Sequence, residues 1–436
     1  MVAQRSVVGI VSAVLAAALL TTLSSAYAQK KEVKIGVIYD YTGPFASGGS
    51  QAAALGNKIA IDMINEKGGV EGYKIVPVYA DAQSKADVAI NEATRLLDQE
   101  KVDLVMGVYS SAHCVPMAQK VDAAKKFMWA TTCTASSVFK GKNLRYVFRP
   151  QVHTDQYGAA SCTFLNENAK TKLKKDPKDL KVAIIYEDGP FGSGVSGAAD
   201  ESCKKYGIQV VLKEGYSATA PDLSSLVTQL RRARADVILH VGYNPDITLF
   251  WRQAREQGLK WAALIGHGAG YGQYDKLHEA FGNDVEYIFS VDPVAAQLID
   301  PKALAPGLGQ ITQEMVKRYK AETKADQVPP HVSMGFNQAW IFLTDVLPRA
   351  IKKYGGVDPE ALRKAALDTD IPDGGTIQGY GVKFFPPGTD MSGQNERCSP
   401  VVTQYIGGKT QVVWPARLRT ADAVLPWPKT HRYSNQ

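Results

Sequence analysis

Short apolar runs alternate with amphipathic helical stretches through most of this chain, and that alternation restricts the fold more than any other feature. Lys34–Tyr39 (KIGVIY) reads as a strand, and Gln51–Glu66 as a helix with Ala54, Leu55, Ile59, Ala60 and Met63 on one face. Strand Tyr73–Tyr79, helix Asp87–Gln99, strand Val102–Val108, a helix, and strand Phe127–Ala130 follow. This β-α-β-α-β-α-β order calls for parallel strands joined by crossover helices, an α/β fold with a doubly wound parallel sheet. Tyr146–Thr154 reads as a crossing segment, after which the alternation restarts. Helices Asp155–Asn166, Gly192–Tyr206, Leu223–Arg234 and Ile247–Gln257 are interleaved with strands Lys181–Tyr186, Gln209–Lys213, Asp236–Val241 and Ala262–Ile265. The restart predicts a second domain of the same class. Tyr287–Val291 reads as a strand and a second crossing. Helices Gln310–Glu322, Ser333–Lys353 and Asp358–Asp368 come next, then strands near Val382–Phe385, Val401–Ile406 and Gln411–Trp414. Pro426–Gln436 has no periodicity and reads as a surface tail.

In doubly wound sheets, ligands sit outside the carboxyl ends of the strands. Two such ends are rich in hydroxyls. Val102–Val108 runs into Tyr109, Ser110 and Ser111, where serine is a favoured helix N-cap. Phe127–Ala130 runs into Thr131, Thr132, Thr134, Ser136 and Ser137. Taken singly, these residues are caps and turn formers. Together, with no acidic residue between Tyr109 and Lys120, they predict a polar pocket for a carboxylate or similar anion at a helix N-terminus. Phe45, Tyr109, Phe191, Tyr243 and Tyr271 each follow a predicted strand end, which gives walls for an apolar or aromatic ligand. Gly266–Gly272 (GHGAGYG) is a further strand-end loop, and His153, His267 and His331 lie in loops able to face the cleft.

Composition narrows the function classes. The 436 residues carry a net charge of +7, with lysine and arginine spread along the chain and no recognition motif for nucleic acid. Arg5, the apolar stretch Val7–Leu20 and Ala26-Tyr27-Ala28 read as a cleavable secretory signal at 1–28, so an exported, periplasmic chain is expected to start at Gln29. Disulfides are permitted in that compartment. By position, the five cysteines allow two pairs, Cys114 with Cys133 and Cys162 with Cys203, and leave Cys398. The histidines and cysteines show no metal-ligand spacing, and no nucleophilic triad stands out. Gly192-x-Gly194-x-x-Gly197, with Glu214 beyond it, matches a dinucleotide fingerprint and keeps a periplasmic NAD-dependent oxidoreductase open as an alternative. The intervening Glu187–Phe191, however, puts those glycines inside the start of a helix and not in the tight turn that the fingerprint needs.

The segments KIGVIYDYTGPFASGG, INEKGGVEGYKI, GVYSSA and IIYEDGPFG resemble the type I periplasmic solute-binding proteins, and most closely the Leu/Ile/Val-binding branch that serves ABC importers. The resemblance covers nearly the whole mature chain. It implies two Rossmann-like lobes joined by three hinge crossings, with lobe 1 formed by 29–149 and 292–374 and lobe 2 by 150–291 and 375–436. It further implies a periplasmic monomer with no cofactor and no catalysis, which delivers a small ligand to an ABC permease. By the same resemblance, the carboxylate clamp falls on Ser111, Thr132 and Thr134, and the facing lobe contributes Phe191 and Tyr243. The family's ammonium-binding Glu falls on Gly268, beside His267. Leaving a buried ammonium unpaired costs several kcal/mol. The resemblance therefore points away from an α-amino acid and toward an aromatic or other acid lacking an α-amine, with His267 bonding its far polar group. Gly48 in place of an aromatic residue is expected to widen the pocket. The rival within the family is a branched-chain amino acid, amide or urea, with Asp246 supplying the acid; an extracellular sensor lobe is a rival outside it.

Overall fold

The computed structural model describes residues 31–325 and 327–435; the leader read at 1–28 lies outside the described residues. Five strands, β1 (Glu32–Tyr39), β2 (Lys74–Asp81), β3 (Leu104–Gly107), β4 (Phe127–Ala130) and β5 (Val147–Phe148), form a parallel sheet in the order β2-β1-β3-β4-β5. Helices α1 (Gln51–Glu66), α2 (Ala86–Asp98) and α3 (Ser111–Ala123) connect them. The chain then enters a second sheet through α4 (Thr154–Asn168). This sheet comprises β6 (Lys181–Glu187), β7 (Gln209–Tyr216), β8 (Val237–Val241), β9 (Ala263–His267) and β10 (Phe289–Asp292), completed by β11 (Val401–Ile406) and β12 (Lys409–Trp414). Its order is β12-β11-β10-β9-β8-β6-β7, parallel from β7 to β10 and antiparallel at β11 and β12. Helices α5 (Pro190–Lys205), α6 (Ser224–Ala233), α7 (Asn244–Glu256) and α8 (Tyr274–Phe281) belong to this half. Strands β3, β4, β8 and β9 are buried along their whole lengths, as expected when helices cover both faces of a parallel sheet. The result is the two-lobe α/β fold.

After β10 the chain returns through α9 (Leu308–Thr323), α10 (Pro330–Ile341), α11 (Leu347–Tyr354) and α12 (Pro359–Leu367). Helix α10 packs tightly on α1. A Cβ on Gly56 would lie 2.2 Å from the Val332 carbonyl, and one on Gly335 would lie 1.9 Å from that of Ala53. This reciprocal glycine contact lets the two backbones touch, and a methyl at either position would push them apart. The single helix expected over Ser333–Lys353 is divided by a wider π turn at Phe342–Val346, just before Pro348. Proline has no N–H to donate, and the π turn absorbs the missing bond.

Two other expectations are corrected. Val382–Phe385 is not a strand; it makes only isolated bridges, Ile371 to Val382 and Phe384 to Asn395. Nearby, Asp390, Gly393 and Asn395 bond the backbone of Gly141 and Arg149, so this stretch of the region placed above with lobe 2 lies against the first crossing. The stretch from Pro426 is not a loose tail. Trp427 and Tyr433 are buried, Tyr433 stacks on Trp261 at 4.7 Å, and the Trp427 N–H donates to the Ala262 carbonyl. Aromatic burial with a few backbone bonds holds this segment, and neither leaves a periodic pattern in sequence.

Candidate functional site

The carboxyl ends of both sheets converge on a small cavity of about 30 Å3. It is lined by Tyr109, Ser111, Thr132 and Thr134 from the first sheet's strand ends, and by Tyr157, Phe191, Tyr243, Gly268 and Asp292 from the second half. His331 and Met334 of α10 close it. A larger open groove, about 1130 Å3, lies outside and shares Asp292. Lys276, Lys320 and Lys409 face this groove and none of the hydroxyl cluster does, so the smaller cavity is the candidate site.

The first-sheet wall is held by backbone-directed bonds. Ser110 caps α3, its Oγ accepting the Ala112 N–H at 3.2 Å. Ser111 opens the helix, and its Oγ accepts two N–H groups, from Thr134 at 3.3 Å and Ala135 at 3.1 Å. With those lone pairs occupied, the Ser111 proton is the group free to donate, and an anion is what it would meet. Thr132 uses its hydroxyl on the Val108 carbonyl at 2.9 Å, so it offers backbone only. Thr134 is bonded to Ser111 through its N–H, which leaves its hydroxyl for the cavity. The Cys114–Cys133 disulfide, with Cα atoms 6.2 Å apart, ties α3 to the residue before Thr134.

The facing wall is aromatic. Tyr243 packs against Phe45 at 4.6 Å, Phe191 at 5.7 Å and Tyr109 at 6.0 Å. Tyr157 meets Phe191 edge-on at 6.3 Å. Phe45 supports Tyr243 from outside and does not line the cavity. The Cys162–Cys203 disulfide joins α4 and α5, which carry Tyr157 and Phe191. Cys398 is a buried free thiol, donating to the Asn395 carbonyl.

Sequence reasoning missed Asp292, the last residue of β10. Its Oδ1 accepts the Tyr157 hydroxyl at 2.8 Å, while its buried Oδ2 has no partner among the described residues. Burial raises its pKa to about 7, offset in part by the Tyr157 bond. A Cβ on Gly268 would lie 3.8 Å from Asp292 Oδ1, so this acid occupies space that a longer acidic side chain at 268 would reach. The clue in sequence was an acid ending an apolar strand, at the ligand-bearing end. His331 was weighed only as a loop histidine; it lines the cavity with Nδ1 unpartnered among the described residues, and burial lowers its pKa to about 4.

Several expectations fail here. His267 does not reach the cavity: its Nε2 is 2.6 Å from Ser161 Oγ and its Nδ1 faces the His240 carbonyl at 3.2 Å, both inside the second lobe. Tyr271 also turns inward, its hydroxyl 2.6 Å from His240 Nδ1. Asp246 is buried as a helix cap, taking the Tyr216 hydroxyl at 2.6 Å and the Tyr243 N–H at 2.9 Å, so it is not a free ligand acid. Gly48 does not widen the pocket, because Asn244 lies 3.2 Å from where its Cβ would be and the Tyr109 hydroxyl bonds its carbonyl. His153 stays on Ser136 Oγ at 3.0 Å. The glycines of the dinucleotide fingerprint lie within α5, and the N-terminus of that helix is occupied by the Glu187 carboxylate, which accepts the Gly189 and Gly192 N–H groups. A phosphate at that position would meet a negative charge.

Residues 32–404 match the periplasmic binding protein family model. The chain belongs to the periplasmic binding protein family. A Leu/Ile/Val-binding protein homolog 7 from Brucella suis biovar 1 is 34% identical over 405 residues, covering 93% of this chain and 96% of that one. The leucine-binding protein LivK of Thermotoga maritima superposes with a TM-score of 0.71 at 23% identity, covering 87% of this chain and 97% of its own. A solute-binding protein of an ABC transporter from R. palustris, solved with 4-hydroxybenzoate, superposes with a TM-score of 0.70 at 19% identity, covering 91% and 98%. Members of this family are substrate-binding proteins that work with ABC transporters, not enzymes. No helix among the described residues is long and apolar enough to cross a membrane.

Proposed function

We propose that this periplasmic binding protein captures a small organic acid and delivers it to an ABC permease. The ligand carboxylate rests on Ser111 and Thr134. Its apolar body, an aromatic ring without an α-amine, lies among Tyr109, Tyr157, Phe191 and Tyr243. Its far end carries a hydrogen-bond donor, a hydroxyl, directed at Asp292 Oδ2. The observation that carries this reading is that one cavity is lined by Ser111, whose hydroxyl accepts two N–H groups and keeps its proton to donate, and by Asp292, a buried acid with one oxygen unpartnered among the described residues. A buried polar atom left unpaired is costly, and a two-ended ligand relieves both ends at once. We further propose that the chain is a monomer exported by its leader at 1–28, and that closure occurs between the lobes read at 29–149 with 292–374 and 150–291 with 375–436.

One observation favours a second reading. Asp292 stands close to the place of the family's ammonium-binding acid, so the case against an α-amine, built on Gly268 alone, loses its main support. A branched-chain amino acid then has a partner for its ammonium. A thermal-shift screen of branched-chain amino acids against hydroxylated benzoates separates the two. A ligand at 100 times its Kd adds about 2.7 kcal/mol to stability. The first reading expects the hydroxybenzoates to raise the melting temperature; a shift with leucine or valine and none with any aromatic acid overturns it.

A further inference from the structure

Arg149, at the first crossing between the sheets, is fully buried, yet it has no carboxylate partner among the described residues. Its Nη1 donates to the Cys133 carbonyl at 3.1 Å and the Ala135 carbonyl at 2.9 Å, its Nε donates to Gln394 Oε1 at 2.6 Å, and its Nη2 has no hydrogen-bond partner among the described residues, the guanidinium lying 5.0 Å from the Phe139 ring. Buried charges are normally paired, and leaving one unpaired is strongly unfavourable. The two carbonyls that hold it flank Thr134. The Cys133 carbonyl belongs to the same peptide unit as the Thr134 N–H, which donates to Ser111 Oγ. A continuous line therefore runs from the guanidinium through that peptide dipole to the Ser111 hydroxyl and into the cavity. Hydrogen bonds in series polarise one another in a low-dielectric interior.

We infer that Arg149 is a positioning residue whose unpaired buried charge supplies the electrostatic attraction for the ligand's carboxylate, acting through the Cys133–Thr134 peptide and Ser111. This rests on the carboxylate reading above. The bound anion becomes the counter-charge that the protein itself does not provide. Few other groups near the guanidinium carry charge. Asp155 is partly exposed and faces Lys140 at 3.7 Å, burial keeps the Tyr157 hydroxyl and the Cys398 thiol protonated, and the nearby His153 is held neutral with its pKa lowered to about 4.

The test compares Kd values for 4-hydroxybenzoate and leucine with those for their primary amides, in which an uncharged group replaces the carboxylate, in wild type, Arg149→Met and Arg149→Lys. Wild type is expected to prefer the carboxylate of at least one pair. Arg149→Met should reduce that preference tenfold or more while leaving amide binding within about twofold. Equal loss of carboxylate and amide assigns Arg149 a purely structural role and overturns the inference. If Arg149→Met does not fold, Arg149→Lys carries the test. A buried lysine has a lowered pKa, so its carboxylate preference should fall more steeply between pH 7 and 9 than that of wild type, whose Arg149 burial lowers only to about 9. A level profile in Arg149→Lys overturns the inference. Wild type binding amides as well as carboxylates instead removes the carboxylate reading, and the inference with it.

Discussion

The two walls of the cavity are built on different principles. The first-sheet wall is made of short hydroxyl side chains whose orientation is set by backbone N–H and C=O groups: Ser110 on Ala112, Ser111 on Thr134 and Ala135, Thr132 on Val108. The second wall is made of rings oriented by one another, plus a single acid with one oxygen unpartnered. A backbone-directed wall recognises a chemical group, in the proposed function a carboxylate, whatever it is attached to. A packed aromatic wall with one buried acid recognises the rest of the molecule. On the proposed function, this contrast gives class recognition to the first wall and selectivity to the second.

The sharpest way to break this division is Asp292→Asn. A ligand ammonium paired with Asp292 loses about 2–5 kcal/mol of affinity when that partner is neutralised. A ligand hydroxyl can still donate to the Asn oxygen and loses about 1 kcal/mol. Calorimetric titration of both ligand classes into wild type and Asp292→Asn reads the difference directly. If every ligand binds Asp292→Asn as well as wild type, the acid has no part in selectivity.

The disulfides test the same contrast through stability. Each lies behind one wall. By loop length, removing Cys114–Cys133 should cost about 3 kcal/mol of unfolding free energy, and removing Cys162–Cys203 about 4. Only the first directly adjoins a clamp residue, Thr134. Cys114→Ala with Cys133→Ala should therefore weaken ligand binding as well as stability, and the other pair should lower stability with little change in Kd. Denaturant melts beside binding titrations check both; equal losses of affinity would show that the first wall is no more dependent on its scaffold than the second.

Ser111→Ala combined with Thr134→Val should weaken carboxylate ligands by about 1.5–3 kcal/mol per lost charge-assisted bond. The discrimination between different carboxylates should stay nearly unchanged, because that belongs to the opposite wall. A change in ligand ranking, read from competition titrations, would contradict the assignment.

A further expected effect is pH-linked. Burial raises Asp292 to about 7, so between the unfolded value near 3.8 and that point the folded state holds more protons than the unfolded one. Its contribution to stability is therefore lost as pH rises through that window. Ligand-free wild type should lose stability relative to Asp292→Asn by about 1.4 kcal/mol per pH unit there. Denaturant melts at pH 4.5 and 6.5 measure the difference; a level difference means that Asp292 is already ionised at low pH.

The same contrast explains what the sequence made legible. Alternating apolar runs and amphipathic helices announced both sheets, since strand and helix periods are local properties. Ser111 and Thr134 were legible because caps and strand ends are local too. Asp292 was not, because its role depends on Tyr157, which lies 135 residues away in sequence. His267 was misplaced for a related reason: as the last residue of β9 its side chain turns to Ser161 on α4, away from the cleft. Gly48 was read as empty space, which Asn244 fills from the other half of the chain. Errors gathered where a side chain's neighbours come from distant elements, and the second wall is made almost wholly of such neighbours.

The most direct test of a two-ended site is a crystal structure of the protein with the compound that most raises its melting temperature. A two-ended site places the ligand carboxylate within hydrogen-bond distance of Ser111 Oγ and a donor atom of the same ligand on Asp292 Oδ2. A ligand seated in the outer groove, or with its carboxylate turned away from Ser111, would contradict it.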